Sequence, residues 1–283
     1  MHMLSKALVL LAGAIGLGAV PAGAAAPRRI VSLNLCADQY LLALADPGQI
    51  AALTQFARDP AMSAAAGKVG DIRQSTGSAE EVLALQPDLV IASPSRRRET
   101  VAILKARNLP ILSLPSAQSY ADIVSQVRQV AGAIGHPERG EALIHRMDQA
   151  LARLRPAPGA PVAAYYQRRG YLTGSGTLID DLMTRAGAVN LAGRLGRPAL
   201  SQLSVEEMVA ARPDYLIVDG DGAATDLGTE MLQHPALAAI PRVHLPMAWT
   251  VCGGPAYVLA AESLSRQLSP RPSARYGDVR SGR

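Results

Sequence analysis

The sequence predicts an α/β protein of two similar lobes with parallel-sheet cores. Three observations predict it: an internal duplication, the strand–helix order inside each copy, and one helical stripe between the copies. The duplication is the strongest. Ser78 to Ile91 (SAEEVLALQPDLVI) matches Ser204 to Ile217 (SVEEMVAARPDYLI), with seven of fourteen positions identical. In each copy a Ser caps a helix whose first turn carries two Glu, placed where the helix dipole favours negative charge. Pro-Asp then ends the helix, and an apolar run (LVIAS or YLIVD) reads as a buried strand.

Two weaker echoes keep the same order. NLPILSLP (Asn108 to Pro115) parallels AIPRVHLP (Ala239 to Pro246), and RRIVSLN (Arg28 to Asn34) parallels PVAAYYQ (Pro161 to Gln167). Each half therefore alternates strands with helical connections, the pattern of a parallel sheet covered on both faces. Between the halves, apolar residues at Ala142, Leu143, Met147, Ala150, Leu151 and Leu154 follow a helical period until Pro156, Pro158 and Gly159 break it. The expected division is a first lobe over 27–136, a connecting helix over 137–158 and a second lobe over 159–269.

The two ends stand outside this division. Lys6, the small apolar run Ala7 to Val20 and the A-x-A sites at Ala24 and Ala26 read as a signal peptide over 1–26. No cysteine follows it, so no lipid anchor is expected, and the mature chain is expected to be a soluble periplasmic monomer. The stretch 270–283 has no apolar period and is expected to be disordered.

Composition removes several function classes. The net charge is +5, yet no Lys/Arg run is interleaved with aromatics, so nucleic-acid binding is not expected. Gly174-Ser175-Gly176 lacks the outer glycines of a nucleophile elbow, and neither a dinucleotide nor a phosphate-loop motif is present. The histidines are dispersed, and Asp219-Gly-Asp221 lacks the spacing of a calcium loop, so neither a metal site nor a resident cofactor is expected. Cys36 and Cys252 are the two cysteines. Both follow strands and should edge one cleft; they are expected to stay unpaired, because a bridge there would compete with ligand entry.

RRIVSLNLCADQYLLALA, VGDIRQSTGSAEEVLALQPDLVIA, YLTGSGTLIDDLMTRAGAVNLA and LSVEEMVAARPDYLIV together resemble a class of solute-binding proteins. These serve ATP-binding-cassette importers of ferric siderophores, haem and cobalamin. The resemblance implies two Rossmann-like lobes joined by a single long helix, with a metal chelate held between them and passed to an inner-membrane permease dimer. It also implies docking glutamates at Glu80 and Glu206, one per lobe. Glu81 and Glu207 are then supporting surface charges. A secreted tetrapyrrole chelatase and a ligand-sensing partner of a surface receptor are the rival readings.

In open α/β sheets ligands lie beyond the carboxyl ends of the strands. That rule, with the resemblance, nominates Cys36, Phe56, Arg96, Tyr166, Arg168, Arg169 and Trp249. Phe56 and Trp249 are the only residues of their kinds, and aromatic faces suit a bulky chelate ring. The arginines suit anionic oxygens. One departure weakens a cobalamin assignment: Gln74 stands where the cobalamin-type pattern has a Trp before Glu80.

Overall fold

The computed structural model describes residues 25–220 and 228–268. Most of the expected signal peptide, Asp221 and the tail from Pro270 lie outside the described residues.

The first lobe is built on five parallel strands: β1 (Ile30–Ser32), β2 (Ile50–Thr54), β3 (Gln74–Ser75), β4 (Leu89–Ala92) and β5 (Ile111–Ser113), in the order β3-β2-β1-β4-β5. Its helices are α1 (Leu35–Leu44), α2 (Ala79–Ala84), α3 (Arg98–Ala106) and α4 (Tyr120–Ala133). Next comes α5 (Pro137–Ala152), which buries Leu143, Ile144, Met147 and Leu151. It stops short of 158, because the chain drops to the second sheet through Pro156, Pro158 and Gly159.

The second lobe holds β6 (Val162–Tyr165), β7 (Tyr171–Thr173), β8 (Val189–Asn190), β9 (Leu200–Gln202), β10 (Tyr215–Asp219) and β11 (Arg242–Leu245). Four of these form a parallel sheet in the order β11-β10-β6-β8, while β7 and β9 pair antiparallel on their own. The helices are α6 (Leu178–Arg185), α7 (Leu191–Arg194), α8 (Val205–Ala211), α9 (Met247–Thr250) and α10 (Tyr257–Leu268).

The duplication extends to single hydrogen bonds. Ser78 caps α2 and Ser204 caps α8, each hydroxyl accepting from a backbone N–H three residues on. Gln86 and Arg212 hold matching left-handed conformations, with φ of 47° and 48°. The Asp88 carboxylate accepts from the Arg28 and Arg29 amides, and Asp214 accepts from the Val162 amide, so each repeat ties its strand to the first strand of its own lobe.

The lobes are not independent. One apolar cluster runs from Ile30 and Leu41 through Met147 of α5 to Ala163, Leu245 and Leu264. A polar clasp reinforces it. The Tyr120 and Tyr257 rings lie 5.3 Å apart, and the Arg185 guanidinium sits 5.0 Å from the Tyr120 centroid. Tyr120 donates to Asp148 at 2.6 Å, and Tyr257 donates to Asp181. Helices α4, α5, α6 and α10 are thus joined across the lobe boundary. Lobe rotation on loading should accordingly be about 10° or less, since a hinge needs a few unrestrained loop residues. Scattering curves with and without ligand check this, and a large compaction on loading would contradict it.

Candidate functional site

A cleft of about 700 Å³ lies between the lobes, a usual size for a small-molecule site. The first lobe supplies most of its wall from the carboxyl ends of its strands. After β1 the chain turns sharply because the Asn34 side chain caps α1, accepting from the Cys36 amide at 2.8 Å. This carries Leu33 to Cys36 onto the cleft floor. Thr54 and Phe56 follow β2, Ser93, Arg96 and Arg97 follow β4, and Pro115 to Gln118 follow β5. The second lobe closes the far side with Thr177 to Ile179 at the start of α6 and Thr250 to Gly253 beyond α9.

Of the nominated residues, Cys36, Phe56 and Arg96 line this cleft, with Phe56 42% exposed. Tyr166 does not: it is fully buried, and its hydroxyl donates to the Leu203 carbonyl at 2.7 Å. Successive strand residues face opposite ways, so the end of β6 sends Tyr165 and Tyr166 into two different cores. Arg168 and Arg169 are also outside the lining. They sit in the turn after β6, where the Arg169 amide donates to Gly228 at 2.7 Å and the Arg168 guanidinium packs on the same glycine. Trp249 is half-buried against the core, one residue before the lining begins at Thr250. Asp219 is occupied by donation from the buried Tyr165 hydroxyl and from Gln167.

The two cysteines require the sharpest correction. Cys36 and Cys252 are joined in a disulfide, with Cα atoms 5.2 Å apart. The bridge does not obstruct the cleft, because it lies where the lobes already touch. Beside it the buried Tyr40 hydroxyl donates to Gly253 at 2.8 Å, and Gly253 packs on Ala117 so closely that a Cβ there would fall 2.5 Å from the alanine methyl. Only glycine permits that approach.

Just behind Thr54 lies Asp38, fully buried on α1. It accepts from the Thr54 hydroxyl at 2.5 Å and the Thr54 amide at 3.2 Å. Burial pushes its carboxyl up to about 6, only partly offset by hydrogen bonds from Ser32 and Thr54. The native state therefore holds this proton over a range, from 3.8 to about 6, in which the unfolded chain releases it. The Asp38 contribution to wild-type stability should fall as pH rises through that window and then level off, and comparison with Asp38→Asn isolates it from the other carboxylates. Asp38→Asn should lack this slope and gain up to about 3 kcal/mol over wild type by neutral pH. Urea unfolding at several pH values tests this; parallel profiles for the two proteins would refute it.

On the outer surface, the paired glutamates divide their work. Glu81 accepts from the Thr76 amide and hydroxyl, and Glu207 from the Ser204 amide and Arg197. Those contacts hold Glu81 and Glu207 at the helix starts; Glu81 is half-buried there, whereas Glu80, Glu206 and Glu207 are exposed.

The strand-end rule places Cys36, Phe56 and Arg96 on the wall correctly. It does not reach Thr54, the last residue of β2, or Pro115 to Gln118, which lie shortly beyond β5. The start of α6 belongs to no strand end, and only the folded lobe reveals it.

Two α/β lobes, a helix between them and a ligand-sized cleft define a binding protein of the two-lobed kind. The chain belongs to the periplasmic binding protein family, whose model matches residues 30–244. It is 27% identical over 271 residues to the vitamin B12-binding protein of Pectobacterium atrosepticum, covering 90% of this chain and 93% of that one. A cobalamin-binding protein of Halobacterium salinarum is 25% identical over 216 residues, which are 74% of this chain but 58% of the relative. Among solved structures, the periplasmic haem-binding protein RhuT of Roseiflexus sp. RS-1 in apo form superposes with a TM-score of 0.69 at 26% identity, covering 85% and 97% of the two chains. These relatives are binding proteins, not enzymes.

Proposed function

We propose that this protein captures a metal chelate in the interlobe cleft and delivers it to the permease dimer of an ATP-binding-cassette importer. The observation that carries the reading is the charge of the cleft. Among the described residues its wall includes two arginines, Arg96 and Arg97, and no carboxylate. Neither arginine forms an ion pair among the described residues. Two guanidinium forks without a carboxylate partner among the described residues suit anionic oxygens such as carboxylate, catecholate or phosphate. The same wall offers no His or Tyr, and its cysteines are bridged, so a metal would arrive already held by its own organic ligands.

A ferric siderophore fits this chemistry most directly. Cobalamin is the second reading, favoured by the names of the curated relatives and by its phosphate. A chelatase finds no support, since the wall lacks a group to take protons from a tetrapyrrole. The signal peptide, cleaved after Ala24 or Ala26, belongs to this proposal, as does the monomeric state.

Calorimetry with a ferric hydroxamate, a ferric catecholate, cyanocobalamin and haemin tests the reading. At least one chelate should bind, and Arg96→Gln should weaken it about tenfold or more, the usual worth of a charged hydrogen bond. If none of the four binds, or if binding is indifferent to Arg96→Gln and Phe56→Ala alike, the cleft is not a chelate site.

A further inference from the structure

We infer that Arg97 is a positioning residue that couples the cleft to the docking helix of the first lobe, and that among the described residues the second lobe has no such connection. This rests on the delivery reading above.

Arg97 has two faces. It lines the cleft, and its Nη1 donates to the Gly77 carbonyl at 3.2 Å. Gly77 immediately precedes Ser78, the cap of α2, and α2 carries Glu80. The approach is built in. Gly77 has φ of +77°, and a Cβ there would fall 2.9 Å from the Arg97 Cζ, so the guanidinium can lie on this turn only because the residue is glycine. Arg97 itself is in a left-handed conformation, with φ of 53°, uncommon for a long side chain and held only where surroundings fix it. The Thr100 hydroxyl donates to the same carbonyl at 3.3 Å.

The equivalent carbonyl in the second lobe is Leu203, one residue before the Ser204 cap of α8. It too accepts from a side chain, but from the Tyr166 hydroxyl, which is wholly buried and away from the cleft. One docking helix is therefore latched from the core and the other from the ligand site. A guanidinium has five N–H donors, so Arg97 can hold Gly77 while its remaining donors meet an anionic group in the cleft. A bound ligand fixes Arg97, Arg97 fixes the turn, and the turn steadies α2 and Glu80. The ligand makes a contact in the loaded state that the empty state lacks, which is what coupling between two sites requires.

Amide hydrogen exchange on the full mature protein tests the latch first without ligand. Arg97→Asn, which suits the left-handed backbone, should speed exchange over residues 78–84 about fivefold, the worth of one hydrogen bond, and leave 204–211 unchanged. Tyr166→Phe should do the converse. Arg98→Gln, which neither lines the cleft nor touches Gly77, should do neither. Equal exchange at 78–84 in wild type and Arg97→Asn overturns the latch. Cyanocobalamin and ferric citrate are then added separately, with binding verified by calorimetry. A bound chelate should slow exchange at 78–84 in wild type, but not in Arg97→Asn and not at 204–211. A bound chelate that leaves α2 unaffected, or slows both helices equally, overturns the coupling. If neither of these two binds, the ferric hydroxamate, ferric catecholate and haemin of the calorimetric series take their place; failure of all of them overturns the capture reading and the coupling with it, while the ligand-free comparison decides the latch.

Discussion

Reversing Glu80 and Glu206 together to Arg should abolish uptake and leave ligand affinity within about twofold of wild type. The resemblance implies permease arginines opposite these glutamates, so the reversal would set like charges facing each other at a cost of several kcal/mol, enough to lower transport more than about a hundredfold. Affinity is spared because both residues are exposed on the outer surface of α2 and α8, away from the cleft wall. The reversal has its own modest cost: each Glu sits in the first turn of its helix, where a positive charge is worth about 0.3–1 kcal/mol less. Melting should therefore fall slightly, and uptake should be normalised to folded protein. The single reversals should each lose part of the transport, since the proposed permease dimer would present the contact twice. Full uptake by the double variant would end the docking assignment.

Removing the disulfide has the largest expected effect on stability. Cys36 and Cys252 are separated by 216 residues, so the bridge closes nearly the whole folded chain and constrains the unfolded state strongly. Replacing both by Ala should cost about 2–5 kcal/mol and lower the melting temperature by roughly 5–15 °C. Alanine is the right probe, because Cys252 is buried and a serine hydroxyl there would add a desolvation cost. The wild type with reductant should melt like the double variant. The loss should be smaller than loop-closure entropy alone suggests, because the Tyr40–Gly253 hydrogen bond and the Tyr120–Tyr257–Arg185 clasp still hold the lobes together. Equal melting temperatures, together with two thiols titrating in denaturant without reductant, would contradict the bridge.

Much of this architecture was legible in the sequence because the duplication repeats physical devices and not only letters. The capping serines, the paired first-turn glutamates and the Pro-Asp ending recur at Ser78 to Asp88 and Ser204 to Asp214, and the fold uses each in the same way twice. The short pieces were less legible. β3 and β8 are two residues long, and β7 and β9 three, too few to show an alternation.

The site was legible in outline and not in detail, for a reason visible in Tyr165 and Tyr166. Strand-end logic locates the mouth of a sheet, but which of two adjacent tyrosines turns outward depends on what packs beneath it. Here Asp219 claims Tyr165 and Leu203 claims Tyr166, so neither reaches the ligand space. Trp249 fails in the same way: one position in the short helix α9 separates it from the wall. The sequence places both cysteines at one cleft but does not show that their meeting point is its base. That base is a seam where Gly253 lies against Ala117, so the bridge forms part of the floor and need not compete with ligand entry.

Whether the cleft carries a preassembled metal chelate is decided by the cargo of protein purified from its own periplasm, identified by native mass spectrometry, metal analysis and visible absorption together. About one metal per loaded protein is expected, held in an organic ligand with anionic oxygens, with a charge-transfer or corrin band in the spectrum. A cargo of free metal ion, sugar or amino acid would contradict the chelate reading.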